Sequence, residues 1–370
     1  MSPPLLSDLT ASAPRVALVG LAKNTGKTVA LAALLGELAR AGRTVGVTSV
    51  GRDGEEHDVI DFRIVKPRVE LTAGSLVATT DSLLGASGIP SELLARTGVR
   101  TPLGEVLIAR LKGSGALEVA GPSAASEVRE VSDAMLSFGA EQVLIDGAID
   151  RRAASSPDVA DALVMSTGAI LSESLEEVVA RTAEAVELVR LPMLSAEAHT
   201  EAKIRALADN SDPGSGLVIS EDADEFFALP ARFVLTAEPA AIDSLLRERA
   251  APRWLLVAGA LPEAFLAGLV PYLRRGGGPL TVLVSDPTRV FISERNAGYY
   301  ARAGVSIQTL KRIDLRAMTV NPVAPQSHSF DSAQLRALLA QAVGDLEIFD
   351  VMHPSYTAAA GLGAPQGVVG

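Results

Sequence analysis

Hydrophobic residues fall in short runs separated by longer stretches with helical spacing. "RVALVG" (15–20) is continuous and apolar, which predicts a buried strand, and "RTVGVTSV" (43–50) predicts a second. Between them, Thr28 to about Ala41 carries apolar positions at helical spacing, and Gly42 is placed to end a helix. "VELTAGSLVATT" (69–80) reads as β-rich and broken at Gly74, "SELLARTG" (91–98) as a short helix, and "VLIARLKGSGALEVAG" (106–121) as two strands around a glycine turn. An amphipathic helix over 126–140 leads to a strand in "EQVLIDGAID" (141–150), then a strand at 161–168 and a helix near 173–190. Strand and helix in repetition predict an α/β fold, a parallel sheet with helices on both faces.

"ADNSDPGSG" (208–216) has the composition of a linker. Alternation then resumes, with strands at 216–220, 232–236, 253–259, 280–286, 305–310, 317–323 and 347–351, and helices near 239–249, 262–275, 293–303 and 332–343. The expected organisation is a flexible leader over 1–14, a first domain over 15–207, a linker over 208–216, a second α/β domain over 217–352 and a flexible tail over 353–370. "RRGGGP" (274–279) lacks a lysine and a following helix, so it reads as a turn that ends a helix.

Composition narrows the class. The chain is 370 residues long, 48% hydrophobic and only 4% aromatic, so Leu, Val, Ile and Ala must fill its cores, as in buried parallel sheets. A net charge of −11 argues against nucleic-acid binding, which needs a surplus of Lys and Arg. The absence of cysteine excludes disulfides, thiolate metal sites and a cysteine nucleophile, and fits a reducing cytoplasm. The N-terminus lacks the features of a signal peptide, and no apolar run reaches the ~20 residues of a membrane helix, so a soluble cytoplasmic protein is expected.

The stretch with clear chemistry is "GLAKNTGKT" (20–28), which satisfies G-x-x-x-x-G-K-T with a strand before it and a helix after it. Gly20 and Gly26 allow the tight turn, and the amides of Lys23, Asn24, Thr25 and their neighbours would point at phosphates beside a helix N-terminus. Lys27 is expected to reach the β- and γ-phosphates, and the Thr28 hydroxyl to ligate Mg²⁺. Lys23 adds a cation four residues before Lys27, one short of the spacing in P-loop proteins whose extra lysine contacts phosphate, sometimes across a dimer. Asp146, at the end of the run "VLID", occupies the Walker-B-like position for Mg²⁺. The acidic stretch "VGRDGEEHD" (50–58) offers Asp53 or Asp58 to orient water or hold the metal, with His57 alongside. Arg151 and Arg152 follow Asp146 closely and read either as phosphate or partner contacts or as a surface pair. His353 reads as a turn residue before Pro354. No guanine-reading N-K-x-D is present, which favours ATP.

Taken together, "RVALVGLAKNTGKT", "VTSVGRDGEEHD", "KPRV" with "GSLVAT", "LIDGAIDRR" with "SSP", and "VMSTGA" resemble the P-loop subunit of the reactivating factor for lysine 5,6-aminomutase, with weaker echoes in "TVNPVAP" and "IFDVM". The loop alone is also similar to dethiobiotin synthetase and to the molybdopterin-guanine-dinucleotide accessory protein. The resemblance implies a P-loop ATPase with ATP and Mg²⁺ as cofactors, and a second, mismatch-repair-like ATPase subunit as partner. It also implies an adenosylcobalamin-dependent aminomutase as client, whose damaged cobalamin is exchanged at the expense of ATP. Two other functions fit the loop. One is an enzyme resembling dethiobiotin synthetase that activates a carboxylate, with Lys23 or Lys66 on its substrate. The other is a nucleotide-dependent carrier or scaffold.

Overall fold

The computed structural model describes residues 4–51, 68–147, 152–230, 232–247, 252–325 and 327–362. The chain forms two compact units, one made of Met1–Ala183 and Asp314–Gly370, the other of Glu184–Ile313. The second unit is thus an insertion in the first. The first unit runs α1 (Leu6–Thr10), β1 (Arg15–Gly20), α2 (Lys27–Arg40), β2 (Val45–Ser49), β3 (Val69–Leu71), β4 (Leu76–Thr80), α3 (Asp81–Ser87), β5 (Ser91–Thr101), β6 (Gly104–Leu111), β7 (Gly115–Leu117), α4 (Ala125–Ser137), β8 (Gln142–Asp146), β9 (Ala162–Gly168) and α5 (Leu175–Val189). Helix α5 crosses into the insertion.

The second unit continues with α6 (Ala198–Asp209), β10 (Gly216–Ile219), β11 (Phe226–Ala228), α7 (Phe233–Thr236), α8 (Pro239–Arg247), β12 (Trp254–Val257), β13 (Leu261–Pro262), α9 (Glu263–Arg274), β14 (Leu280–Val284), β15 (Val290–Phe291), α10 (Ala297–Arg302) and β16 (Val305–Thr309). The chain then returns to the first unit with β17 (Leu315–Asn321), α11 (Ser332–Val343), β18 (Glu347–Phe349) and α12 (Pro354–Ala359).

The large sheet has the order β18-β17-β9-β1-β8-β2-β4-β6-β5. From β18 to β4 all neighbours are parallel, and β6 and β5 add an antiparallel edge. Strand periodicity assigns the faces. Val45 and Val47 share a core with Leu31, Leu34 and Leu38 of α2. Gly46, between them, faces the other way, and a Cβ there would lie 2.8 Å from the Met135 terminal methyl carbon of α4. Helices therefore cover both faces, as the alternation predicts. Each fully buried leucine of α2 contributes roughly 1.5–3 kcal/mol.

The insertion has its own sheet, β11-β10-β12-β14-β16. β12, β14 and β16 are parallel, and β10 is antiparallel to β12 and β11. Leu255 and Val257 point into one core, Trp254 and Leu256 into another, so this sheet is also covered on both faces.

Several expectations need correction. The stretch 91–98 is part of β5, not a helix: pairing with β6 overrides the helical preference of Leu, Ala and Arg. Residues 233–236 form the short α7 rather than a strand. The turn at 208–216 joins α6 to β10 inside the insertion and is not a domain boundary. The strands expected at 317–323 and 347–351 in a second domain are β17 and β18 of the first sheet. The leader contains α1, with Leu6 buried, and the tail contains α12, with Tyr356 buried. The remainder of the tail, 363–370, lies outside the described residues.

Candidate functional site

Strand β1 is buried along its whole length and ends at Gly20, and α2 starts at Lys27. The six residues between turn back sharply. A Cβ on Gly20 would fall 2.4 Å from Thr25 Oγ1, so only glycine lets the loop fold over the strand end. Thr25 is buried, and its hydroxyl donates to Ala22 O at 3.0 Å. Asn24 (φ 65°) and Gly26 (φ 88°) are both left-handed. From Gly26 the chain enters the helix, with Ala30 N donating to Gly26 O at 2.9 Å. The loop is braced from β9 by Leu21 N donating to Ser166 O at 2.9 Å.

Lys27 and Asp146 face one another across the mouth of this loop. Parallel pairing of β1 with β8 sets Asp146 opposite Leu18, at the carboxyl end of the sheet. Lys27 Nζ approaches Asp146 Oδ1 at 2.5 Å, with the two side chains 22% and 29% exposed. Among the described residues no aligned hydrogen bond reaches Asp146 Oδ1, so the contact with Lys27 is an ion pair held by Coulomb attraction. Close packing fixes the strand ends around it. A Cβ on Gly147 would lie 2.3 Å from Ala154 Cβ, and one on Gly121 2.0 Å from Ser49 O. Gly121 N donates to Ser49 Oγ at 2.9 Å, tying the 121–122 segment to the end of β2.

Of the residues singled out from the sequence, Gly20, Lys23, Asn24, Thr25, Gly26, Lys27 and Thr28 are on the loop and the first turn of α2, and Asp146 joins them. Asp53, His57, Asp58, Lys66 and Arg151 lie outside the described residues. Arg152 begins a 3₁₀ turn, Arg152–Ser155. Lys23 is exposed on the loop. His353 caps α12, its Nδ1 accepting from Ser355 N at 3.3 Å, in accord with a turn role. No group of three or more His, Cys, Asp or Glu able to hold a metal occurs among the described residues. A metal at the loop would instead take the oxygen-only set of Thr28 and Asp146, the kind Mg²⁺ completes with water and phosphate.

One residue of the site was not legible in the sequence. Asn321, the last residue of β17, donates from Nδ2 to Asn24 O at 2.9 Å. A groove of about 590 Å³ lies within the insertion between α9 and the Ser293–Tyr300 segment. Of the two carboxylates that line it, Glu263 is already engaged. Burial opposes the charge of Glu263, but the amides of Glu294, Ser293 and Arg295 and the Tyr300 hydroxyl donate to it and hold it below the usual carboxylate range. It clamps this segment to the start of α9.

Comparison with protein families, with characterised proteins and with solved structures returned no match to this chain. No helix among the described residues is long and apolar enough to cross a membrane.

Proposed function

We propose that the chain is a P-loop ATPase that binds ATP with Mg²⁺ at Gly20–Thr28. The supporting observation is the opposed pair Lys27 and Asp146, one cation and one carboxylate 2.5 Å apart at the mouth of a strand–loop–helix turn. Lys27 and the loop amides would hold the phosphates, and the N-terminus of the 14-residue α2 would add partial positive charge. Thr28 and Asp146 would hold Mg²⁺, which supplies charge neutralisation at the β- and γ-phosphates. In hydrolysis the terminal phosphorus would gain a bond to a water oxygen, the bridging P–O bond would break with its electrons going to ADP, and the water would give up a proton as ADP and phosphate leave.

On the resemblance of its sequence blocks, we assign this ATPase to a reactivating factor for an adenosylcobalamin-dependent aminomutase, acting with a second ATPase subunit. ATP-driven rearrangement would release damaged cobalamin from its tight site in the mutase. The test is ATP binding by calorimetry, followed by turnover with and without inactivated mutase and partner subunit. The wild-type chain should bind Mg·ATP, and Lys27→Ala should lose at least about tenfold in affinity with an unchanged melting temperature, as expected when a charged contact worth roughly 1.5–3 kcal/mol is removed. Unchanged affinity and turnover in that variant would remove the site assignment. Binding without stimulation by the mutase would favour the carboxylate-activating alternative.

A further inference from the structure

We propose that Asn321 is the positioning residue of the phosphate loop, an inference that rests on the nucleotide reading above. Its side chain bridges two backbones. Nδ2 donates to Asn24 O at 2.9 Å, and Oδ1 accepts from Val323 N at 3.1 Å. These partners fix the orientation of the amide, since a flipped group would set oxygen against carbonyl and NH₂ against N–H. The space around it is cleared on both sides. A Cβ on Gly26 would lie 3.2 Å from Asn321 Cβ, and one on Gly168 3.0 Å from the same atom and 2.4 Å from Asn321 O. Asn321 thus sits in a slot between the loop and the end of β9 that two glycines leave open.

The residue it holds is the one that needs support. Asn24 is left-handed at φ 65°, a conformation Asn tolerates better than most L-residues but still at some cost, which the bond from Asn321 helps to offset. With Asn24 in this state and Gly26 following at φ 88°, the loop has the curvature that turns backbone amides inward. A loop held in that curvature by its own contacts loses less freedom on binding phosphate. Asn321 acts through Asn24 and Gly26. The backbone that supplies it is β17, the first strand after the insertion, so the loop is complete only once the chain has returned from Ile313.

The experiment measures ATP affinity, melting temperature and backbone amide exchange of residues 21–26 in the full chain for wild type, Asn321→Ala and the isosteric Asn321→Asp. The expected result for Asn321→Ala is a loss of about fivefold to tenfold in affinity, the ordinary worth of one hydrogen bond. Amide exchange in the ATP-free loop should be faster, and the melting temperature should stay within a few degrees. Asn321→Asp keeps the shape but replaces the donor by a charged acceptor, and should lose more affinity, most strongly at low salt. ATP affinity and loop exchange equal to wild type in both variants would overturn the positioning role while leaving the nucleotide site intact. A parallel fall of melting temperature and affinity that amide exchange spreads over the whole sheet would make Asn321 a structural residue and also overturn the proposal. If the wild-type chain binds no ATP, the nucleotide reading falls, and the positioning role falls with it.

Discussion

Lys27 and Asp146 pair with one another, and each is also the group a Mg-nucleotide would engage. On the proposed reading, binding would exchange partners, phosphate taking Lys27 and Mg²⁺ taking Asp146. Nucleotide without metal must draw Lys27 away and leave a bare carboxylate near its own negative charge, so the two ligands should bind with positive coupling. Asp146→Asn removes both the competitor for Lys27 and the metal's carboxylate. It should bind metal-free ATP several-fold more tightly than wild type and gain little when Mg²⁺ is added, as titration calorimetry with and without EDTA would reveal. A variant that weakens ATP equally in both conditions would contradict the exchange. The loop half of this site was legible in the sequence because strand, glycines, lysine and helix are contiguous. Asn321 was not, because it meets Asn24 across 297 residues, and its position depends on which strands become neighbours.

At the scale of elements, α2 is fixed at its far end as firmly as at the loop. Glu37, buried in its third turn, accepts from Ser7 N at 2.8 Å and from the Tyr356 hydroxyl. Arg40 donates to Ala360 O at 2.9 Å, and Gly36 leaves room for Leu362. Both segments read from composition as a loose leader and a loose tail therefore grip the helix that opens at Lys27. Their small polar residues concealed two long-range anchors, Leu6 and Tyr356, that local pattern does not distinguish from surface residues. Tyr356→Phe leaves Glu37 Oε1 without its donor and should cost about 1–3 kcal/mol in urea denaturation. The pH dependence has a definite sign. Burial, then the bond to Glu37, raises the Tyr356 pKa above its ordinary 10.0. Protonated tyrosine is therefore favoured in the folded state, and its contribution is complete below pH 10 and lost as pH rises above that value. Wild type should lose stability above pH 10 more steeply than Tyr356→Phe. The misread β5 belongs to the same scale: eight residues of mixed preference could not reveal that β6 would pair with them.

For the whole molecule, the decisive fact is that the first sheet is interrupted in the chain and continuous in space. Each strand of the insertion was visible as an apolar run, yet the runs at 317–323 and 347–351 carry no local mark of which sheet they enter. The register supplies the answer: β17 lies along β9 from Leu315↔Leu163 to Asn321↔Gly168, and β18 continues beyond it. A chain cut at residue 207, where composition suggests a domain end, would lose both strands, the donor to Asn24 and the Tyr356 anchor of α2. It would also bare one ladder of β9, all seven of whose residues are buried in the intact protein. Such a fragment should aggregate or melt without cooperativity. Replacing residues 191–313 by a flexible linker keeps every strand of the first sheet, and the product should melt cooperatively and bind ATP within about threefold of the full chain, since the loop contacts named above all survive. Calorimetry and circular dichroism on the two chains decide the matter. A stable, ATP-binding 1–207 fragment would show that β17 is dispensable to the loop. A linker-joined chain that folds but no longer binds ATP would place part of the nucleotide site in the insertion.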